Sequence, residues 1–167
     1  MPKSILLGYA TVYGSTREVA EVIAACLSEH GQNANLQLLK DVRSLSGYQA
    51  VVIGAPLIMY RWHKDALRFL SRYRKNLAEL PVAIFALGPV KEPHNEKEWQ
   101  DSRAQLDKEL AKFPWLKPID MVMFGGKFDP AALRFPLNKF AGKEPASDAR
   151  DWAAIRNWAS NLVTSLE

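Results

Sequence analysis

The segment Thr11-Val12-Tyr13-Gly14-Ser15-Thr16 joins two stretches of contrasting pattern. The stretch before it, Ser4 to Ala10, is apolar nearly throughout, as is typical of a strand buried on both faces of a parallel sheet. The stretch after it has helical spacing, with Val19, Ile23 and Leu27 on one face. A buried strand, a short polar loop and a helix in succession predict the first unit of an α/β fold.

Four further runs predict strands. Three of them, Ala50 to Ala55, Val82 to Leu87 and Ile119 to Phe124, are almost wholly apolar. The run Ala34 to Leu39 alternates polar and apolar residues, which suits the edge of a sheet. Helical patterns separate the strands, except at the short link Lys40 to Tyr48. This alternation predicts a five-stranded parallel sheet with helices on both faces, a three-layer α/β sandwich.

Length and composition set the broad class of the protein. The 167 residues predict a single domain spanning 1–167, with Gly125 to Ala146 as an insertion before the last helix. With 48% hydrophobic and 24% charged residues, the chain is not of the disordered class. Its longest uncharged apolar stretch is too short to cross a bilayer, and its start lacks the pattern of a signal peptide. The single Cys26 agrees with a reducing compartment, so we expect a cytoplasmic protein.

Positive charge is concentrated in one segment. Arg61 to Lys75 carries six basic residues and one acidic residue, a net charge of +5, whereas the whole chain has +4. Four of the basic residues form one stripe of a predicted helix: Lys64, Arg68, Arg72 and Lys75. The stripe is either an ordinary solvated face or, together with Phe128 to Lys143, a surface for peripheral contact with an anionic membrane. Aromatic residues do not alternate with these charges in a recognition motif, so no nucleic acid partner is expected.

The loop that opens this section has the composition of a phosphate site. Thr11, Val12, Tyr13, Gly14, Ser15 and Thr16 supply three Ser or Thr hydroxyls, a glycine and backbone N–H groups at the positive end of a helix. The loop lacks the glycine and lysine pattern of ATP sites and the three-glycine pattern of dinucleotide sites. A phosphate monoester is therefore the better ligand, and an ordinary Ser or Thr helix cap is the alternative.

The same loop resembles the phosphate loop of the flavodoxin family, whose pattern is Thr-x-Thr-Gly-x-Thr. Thr11, Gly14 and Thr16 match this pattern, while Tyr13 stands where the family has its middle threonine. The resemblance implies FMN as the cofactor and a flavodoxin-like sandwich with strand order 2-1-3-4-5. In that order the strand Ala34 to Leu39 lies at an edge of the sheet.

The resemblance also implies which residues hold the isoalloxazine ring, because flavodoxins use the loops after the third and fourth strands. One loop supplies Pro56, Leu57, Ile58, Met59, Tyr60 and Trp62, and the other supplies Leu87, Gly88, Pro89 and Val90. Packing against the core is the alternative for Tyr60 and Trp62. Chemistry in this family occurs at the flavin, so we expect neither a catalytic acid or base nor a metal site.

Within the family, the chain is most similar to the flavodoxin-like proteins that include menaquinone-dependent protoporphyrinogen dehydrogenases. Three features carry this similarity: its basic charge, the loop Tyr60 to His63, and the apolar and basic insertion Gly125 to Phe135 before a Trp-bearing last helix. The chain departs from them at Leu57-Ile58-Met59, where a Ser-x-Arg stretch precedes the tyrosine. The similarity implies an FMN-dependent oxidoreductase that passes reducing equivalents from a reduced substrate to a quinone-type acceptor. The alternative is an electron-transfer flavodoxin that docks to a redox protein partner.

Two features of the first ring loop bear on these alternatives. We expect Arg61, His63 and Lys64 to place positive charge beside the ring, which favours an anionic reduced flavin and two-electron chemistry. No glycine occurs between Gly54 and Gly88, so we also expect this loop to resist a positive φ. Both features favour the oxidoreductase.

Overall fold

The computed structural model describes residues 4–59, 61–90, 95–132 and 145–167. Its main sheet has five parallel strands: β1 (Ser4–Tyr9), β2 (Asn33–Leu38), β3 (Tyr48–Ile58), β5 (Val82–Leu87) and β6 (Asp120–Phe124). A short strand, β4 (Arg61–Trp62), pairs antiparallel with the end of β3. Two more short strands, β7 (Lys127–Phe128) and β8 (Ser147–Asp148), pair with each other. The parallel strands follow the order β2-β1-β3-β5-β6, so the predicted order is confirmed.

Helices cover both faces of this sheet. They are α1 (Ser15–Glu29), α2 (Lys64–Arg72), α3 (Arg74–Leu77), α4 (Glu96–Ala111) and α5 (Trp152–Leu166). The buried residues of α1 and α5 pack on one face, and those of α2, α3 and α4 pack on the other. The predicted three-layer sandwich is therefore confirmed. None of the helices in the described ranges is long and apolar enough to cross a membrane.

Strand β3 is longer than the sequence predicts. We expected it to end at Ala55, but it continues to Ile58, because β4 gives its last residues an antiparallel partner. The paired residues are Leu57 with Trp62 and Ile58 with Arg61. The predicted loop after the third strand is thus a β-hairpin, which is a more rigid wall than a loop.

Strand β6 and the start of α5 also differ from the sequence-based prediction. Because β6 forms the second edge of the sheet, its residues are mostly half-buried rather than buried on both faces. Asp151 caps α5, since its carboxylate accepts the N–H of Ala154 at 3.0 Å. Ser147 and Asp148, two further residues that could cap a helix here by their side chains, instead belong to β8.

Gly54 shows how closely the centre of the sheet is packed near the carboxyl ends of its strands. It pairs with Tyr9 on one side and with Phe85 on the other. A Cβ at Gly54 would lie 1.8 Å from Cζ of Phe85, whose ring is fully buried and 6.0 Å from the Trp158 ring. Only glycine fits at this position without moving the aromatic core.

We therefore expect Gly54→Ala to lower the free energy of unfolding by about 1–3 kcal/mol, the usual cost of overpacking a core. Urea denaturation followed by circular dichroism measures the change. The same substitution in a Phe85→Leu background is the control, since leucine leaves room for the added methyl group. An equal loss in both backgrounds would show that the Phe85 ring is not the cause.

Candidate functional site

The loop between β1 and α1 takes an open conformation around Gly14. Gly14 is the N-cap of α1 and has φ +92°, a left-handed conformation that glycine adopts without strain. No side chain caps this helix; instead the Thr11 hydroxyl accepts the Gly14 N–H at 2.9 Å. The Glu18 N–H donates to the Gly14 carbonyl at 3.2 Å. The N–H groups of the residues between them have no acceptor within the helix, so the positive end of α1 can receive an anion.

Thr16 lies in the first turn of α1 and is fully buried. Its hydroxyl oxygen has no hydrogen-bond partner in the described part of the chain. Leaving a buried hydroxyl unpaired costs about 1–3 kcal/mol. This orphaned group therefore marks the turn as a place where a bound acceptor would stabilise the protein.

The hairpin formed by β3 and β4 has a two-residue connection. Its first residue, Met59, has φ +49° and is 86% exposed. Two-residue hairpin loops need a positive φ at this position, so the turn imposes the conformation on a non-glycine residue. Our expectation that this segment resists a positive φ is therefore wrong. Tyr60, the second residue, lies outside the described residues.

A cavity of about 580 Å³ opens between the first loop, the hairpin and the end of β5. It brings together ten of the residues that the sequence analysis proposes: Val12, Tyr13, Ser15, Pro56, Leu57, Ile58, Met59, Leu87, Gly88 and Val90. Thr11, Gly14 and Thr16 belong to the loop that borders the cavity but do not line it. Pro89 lines a neighbouring cavity instead.

Trp62 is a predicted ring-loop residue that does not line the main cavity. Its side chain is 1% exposed and packs with the core on the α2 face of the sheet. Its indole N–H donates to the Ala55 carbonyl at 3.0 Å. The structure thus gives Trp62 the alternative role, in which it anchors the hairpin from behind.

Five lining residues were missed by the sequence analysis: Glu18, Gly126, Lys127, Phe128 and Asp129. Four of them lie at the start of the insertion, which follows β6 at the carboxyl ends of the parallel strands. The Gly126 N–H donates to the Pro89 carbonyl at 2.9 Å, and a Cβ on Gly126 would lie 2.9 Å from the Gly88 carbonyl oxygen. The pair Gly125-Gly126 directly after a predicted strand is the signal that could have located this third wall.

The basic residues of the hairpin do not line this cavity. Arg61, His63 and Lys64 line a separate cavity on the other side of Ile58. The charged residues that line the main cavity are Glu18, Lys127 and Asp129, so the expected positive environment of the ring is absent from its described walls.

The predicted basic stripe is interrupted in the structure. Lys64, Arg68 and Arg72 are exposed along α2, but Lys75 lies on α3, after a break at Tyr73. Of the insertion that we expected to join the stripe, Phe128 lines the main cavity, and residues 133–144 lie outside the described residues. Contact of this surface with an anionic membrane stays a prediction.

Comparison with known proteins decides the family. The family model described as flavodoxin domain matches residues 6–140. The chain belongs to the flavodoxin family. The loop motif predicts this family. The matched residues include the phosphate loop and the two proposed ring segments of the domain.

This flavodoxin domain is similar to a named enzyme and to flavodoxins of known structure. Protoporphyrinogen IX dehydrogenase [quinone] of Escherichia coli is 25% identical to it over 96% of this chain and 94% of its own length. Among solved structures, flavodoxin 1 of Bacillus cereus superposes with a TM-score of 0.63 at 14% identity, covering 98% of this chain and 99% of its own. An archaeal flavodoxin superposes with a TM-score of 0.60 at 12% identity over 98% of both chains. At such identities the solved structures show the fold alone.

Arg150 connects the insertion of this flavodoxin domain to its phosphate loop. The Arg150 side chain is only 3% exposed. Its Nε and Nη2 atoms donate to the two carboxylate oxygens of Asp148 at 2.9 and 2.8 Å. Its Nη1 donates to the Ser15 carbonyl at 3.2 Å and lies 3.6 Å from the Glu18 carboxylate. One buried cation therefore holds β8 against the first turn of α1 and offsets the negative charge of Glu18 beside the loop.

The Arg150 hydrogen bonds lower the pKa of the Asp148 carboxyl below its ordinary value. Because folding lowers this pKa, ionised Asp148 stabilises the folded state. The whole stabilisation is present above about pH 4, the ordinary pKa of an Asp carboxyl. The stabilisation is lost as the pH falls below that value and the carboxylate takes up a proton.

We expect Arg150→Gln to lower the free energy of unfolding by about 1.5–3 kcal/mol at pH 7, since it removes charge-assisted hydrogen bonds at a buried position. The difference from the wild type should shrink as the pH falls from 7 towards 3, because protonation of Asp148 removes its ion pair with Arg150. Urea unfolding across this pH range measures it. Arg156→Gln, at an exposed position of α5, is the matched control and should stay within about 0.5 kcal/mol of the wild type. A loss of equal size at pH 3 and pH 7 would assign the effect to packing rather than to the ion pair.

Proposed function

We propose that this flavodoxin domain binds FMN and is an oxidoreductase that passes reducing equivalents from a reduced organic substrate to a quinone-type acceptor. The observation that carries the proposal is the form of the main cavity. It runs from the positive end of α1, at Ser15, to the apolar residues of the hairpin and the β5 end. A phosphate at one end and a planar ring at the other match this arrangement.

The residues of the phosphate end fit a bound phosphate in three ways. The first N–H groups of α1 have no acceptor within the helix, and Gly14 leaves the space beside it open. The buried Thr16 hydroxyl lacks a partner in the described residues, and a phosphate oxygen would supply an acceptor. The Arg150 guanidinium offsets Glu18, the carboxylate nearest to this end. In this proposal the Thr11–Thr16 loop holds the phosphate.

The other end of the cavity would enclose the ring. Pro56, Leu57 and Ile58 form one wall on the rigid hairpin, and Leu87, Gly88 and Val90 form the other. These walls exclude water and orient the ring, while bound FMN supplies the transfer of electrons. Phe128 and its neighbours, held by the contact of Gly126 with Pro89, would close the third side.

The Escherichia coli protein supports the substrate and the acceptor that we propose. Its name combines the oxidation of a porphyrinogen with a quinone, and its similarity extends over nearly the whole of both chains. We extend this activity to the present chain, with protoporphyrinogen as the first substrate to test. The alternative acceptor is a redox protein, as expected of an electron-transfer flavodoxin.

The Thr16 hydroxyl gives a direct test of the phosphate site. We expect Thr16→Val to weaken FMN binding by about 10-fold to 100-fold, the cost of one lost hydrogen bond to a charged phosphate. The FMN-free protein should not lose stability, because the hydroxyl has no partner among the residues that the structure describes. Quenching of FMN fluorescence measures the affinity, and urea unfolding measures the stability.

Thr11→Val is the matched control, because its hydroxyl accepts the Gly14 N–H. This variant should lower the free energy of unfolding of the FMN-free protein by about 1 kcal/mol. If Thr16→Val destabilises the FMN-free protein equally and leaves FMN affinity unchanged, Thr16 has a structural role and the phosphate lies elsewhere.

Anaerobic turnover tests the acceptor. FMN-loaded protein mixed with protoporphyrinogen and menadione, a soluble quinone, should form fluorescent protoporphyrin at a rate that rises with protein concentration. Omitting the quinone should limit protoporphyrin to about one third of an equivalent of the flavin present, because each protoporphyrin formed releases six electrons, each flavin accepts two, and no acceptor then reoxidises the flavin. Light-reduced protein that menadione fails to reoxidise, but a redox protein does, would favour the electron-transfer alternative.

A further inference from the structure

A second cavity, of about 350 Å³, lies on the opposite side of the hairpin from the main one. Its floor is apolar and consists of Ile58, Trp62 and Leu67. Its rim is basic and consists of Arg61, His63, Lys64 and Lys112. We call it the basic cavity. Arg61, His63 and Lys64 are close together in the chain, whereas tertiary folding adds Lys112 from the end of α4.

Two of these cations have no ion-pair partner among the described residues. The Lys112 ammonium is paired with the Glu109 carboxylate at 2.8 Å. Neither Arg61 nor Lys64 has a carboxylate within 4 Å in the part of the chain that the structure describes. Two exposed and uncompensated cations at the rim of one cavity favour an anionic ligand.

His63 adds a neutral donor to this rim. Its Nδ1 accepts the N–H of Asp65 at 3.0 Å, which caps α2. Burial is the main cause that lowers the pKa of His63 below its ordinary value, so the ring is neutral at pH 7. A neutral ring whose Nδ1 accepts a hydrogen bond carries its proton on Nε2, which can donate to a ligand.

We propose that the basic cavity is a binding site for an apolar organic acid, whose carboxylate contacts Arg61 and Lys64 and whose body lies on Ile58 and Leu67, above the buried Trp62. The apolar floor selects a carboxylate on a hydrophobic body over a free inorganic anion. Asp65, 3.9 Å from the His63 ring, disfavours a doubly charged phosphate more than a singly charged carboxylate. The site is separate from the main cavity, although Ile58 belongs to both walls, and it does not depend on bound FMN.

Isothermal titration calorimetry at low salt tests the proposal with three probes: 2-naphthoate, its neutral analogue 2-naphthamide, and inorganic phosphate. We expect the full-length protein to bind 2-naphthoate at least about tenfold more tightly than 2-naphthamide, because a charge-assisted contact is worth roughly that factor. The preference should decrease in high salt. Phosphate should not displace 2-naphthoate at equal concentration. The titrations are made with and without FMN, so failure of FMN to bind leaves this test intact.

The double variant Arg61→Gln/Lys64→Gln should lose the preference, with both probes binding within about threefold of each other. The matched control is Arg74→Gln/Lys75→Gln, which removes two exposed charges from α3 and should bind as the wild type does. Thermal unfolding confirms that both variants are folded. Equal affinity of the wild type for the acid and the amide would overturn the proposal. So would displacement by phosphate, or an equal loss of preference in the control variant.

Discussion

The register of the parallel sheet is the constraint on which the other features of this protein depend. Tyr9 pairs with Gly54, Pro56 pairs with Leu87, and Leu87 pairs with Phe124. The carboxyl ends of β1, β3, β5 and β6 therefore reach one edge, and each wall of the main cavity begins where one of these strands ends. In parallel sheets such an edge is where ligands bind, since the strands stop there and the helix N-termini point towards the same space.

Two buried polar groups near the carboxyl end of β1 differ in whether they have hydrogen-bond partners. Arg150 is fully engaged, with Asp148, Glu18 and the Ser15 carbonyl around its guanidinium. The Thr16 hydroxyl is buried with no partner among the described residues. A folded protein without its ligand tolerates such an orphan at a cost of about 1–3 kcal/mol, and binding recovers part of that cost. Arg150 joins β8 to the loop, and the Thr16 hydroxyl would donate to a phosphate oxygen in the proposed site.

The hairpin of β3 and β4 separates two environments. One side contributes apolar walls to the main cavity, where the lining charges are Glu18, Lys127 and Asp129. The other side carries the uncompensated cations of the basic cavity. The sequence predicts that Arg61, His63 and Lys64 lie beside the proposed ring. The turn at Met59 instead directs them away from it. This separation allows one short segment to contribute to the proposed FMN site and to a second site of different chemistry.

Local patterns in the sequence were sufficient for the five parallel strands and the place of β2 at an edge, and the family resemblance supplied most of the residues that line the main cavity. Hydrophobic period, cap chemistry and the Thr11–Thr16 motif involve residues close together in the chain, so they can be recognised there. Contacts between distant residues could not be predicted from such patterns. Arg150 reaches Ser15 from 135 positions away, and Gly126 packs on Gly88 only because β5 and β6 are neighbours. Trp62 is buried on the α2 face of the sheet, where the pairing of β4 with β3 places it opposite Leu57. The sequence alone determined the elements and the phosphate loop, whereas tertiary packing decided which side chains surround each cavity, because burial and charge pairing depend on neighbours that only the folded sheet brings together.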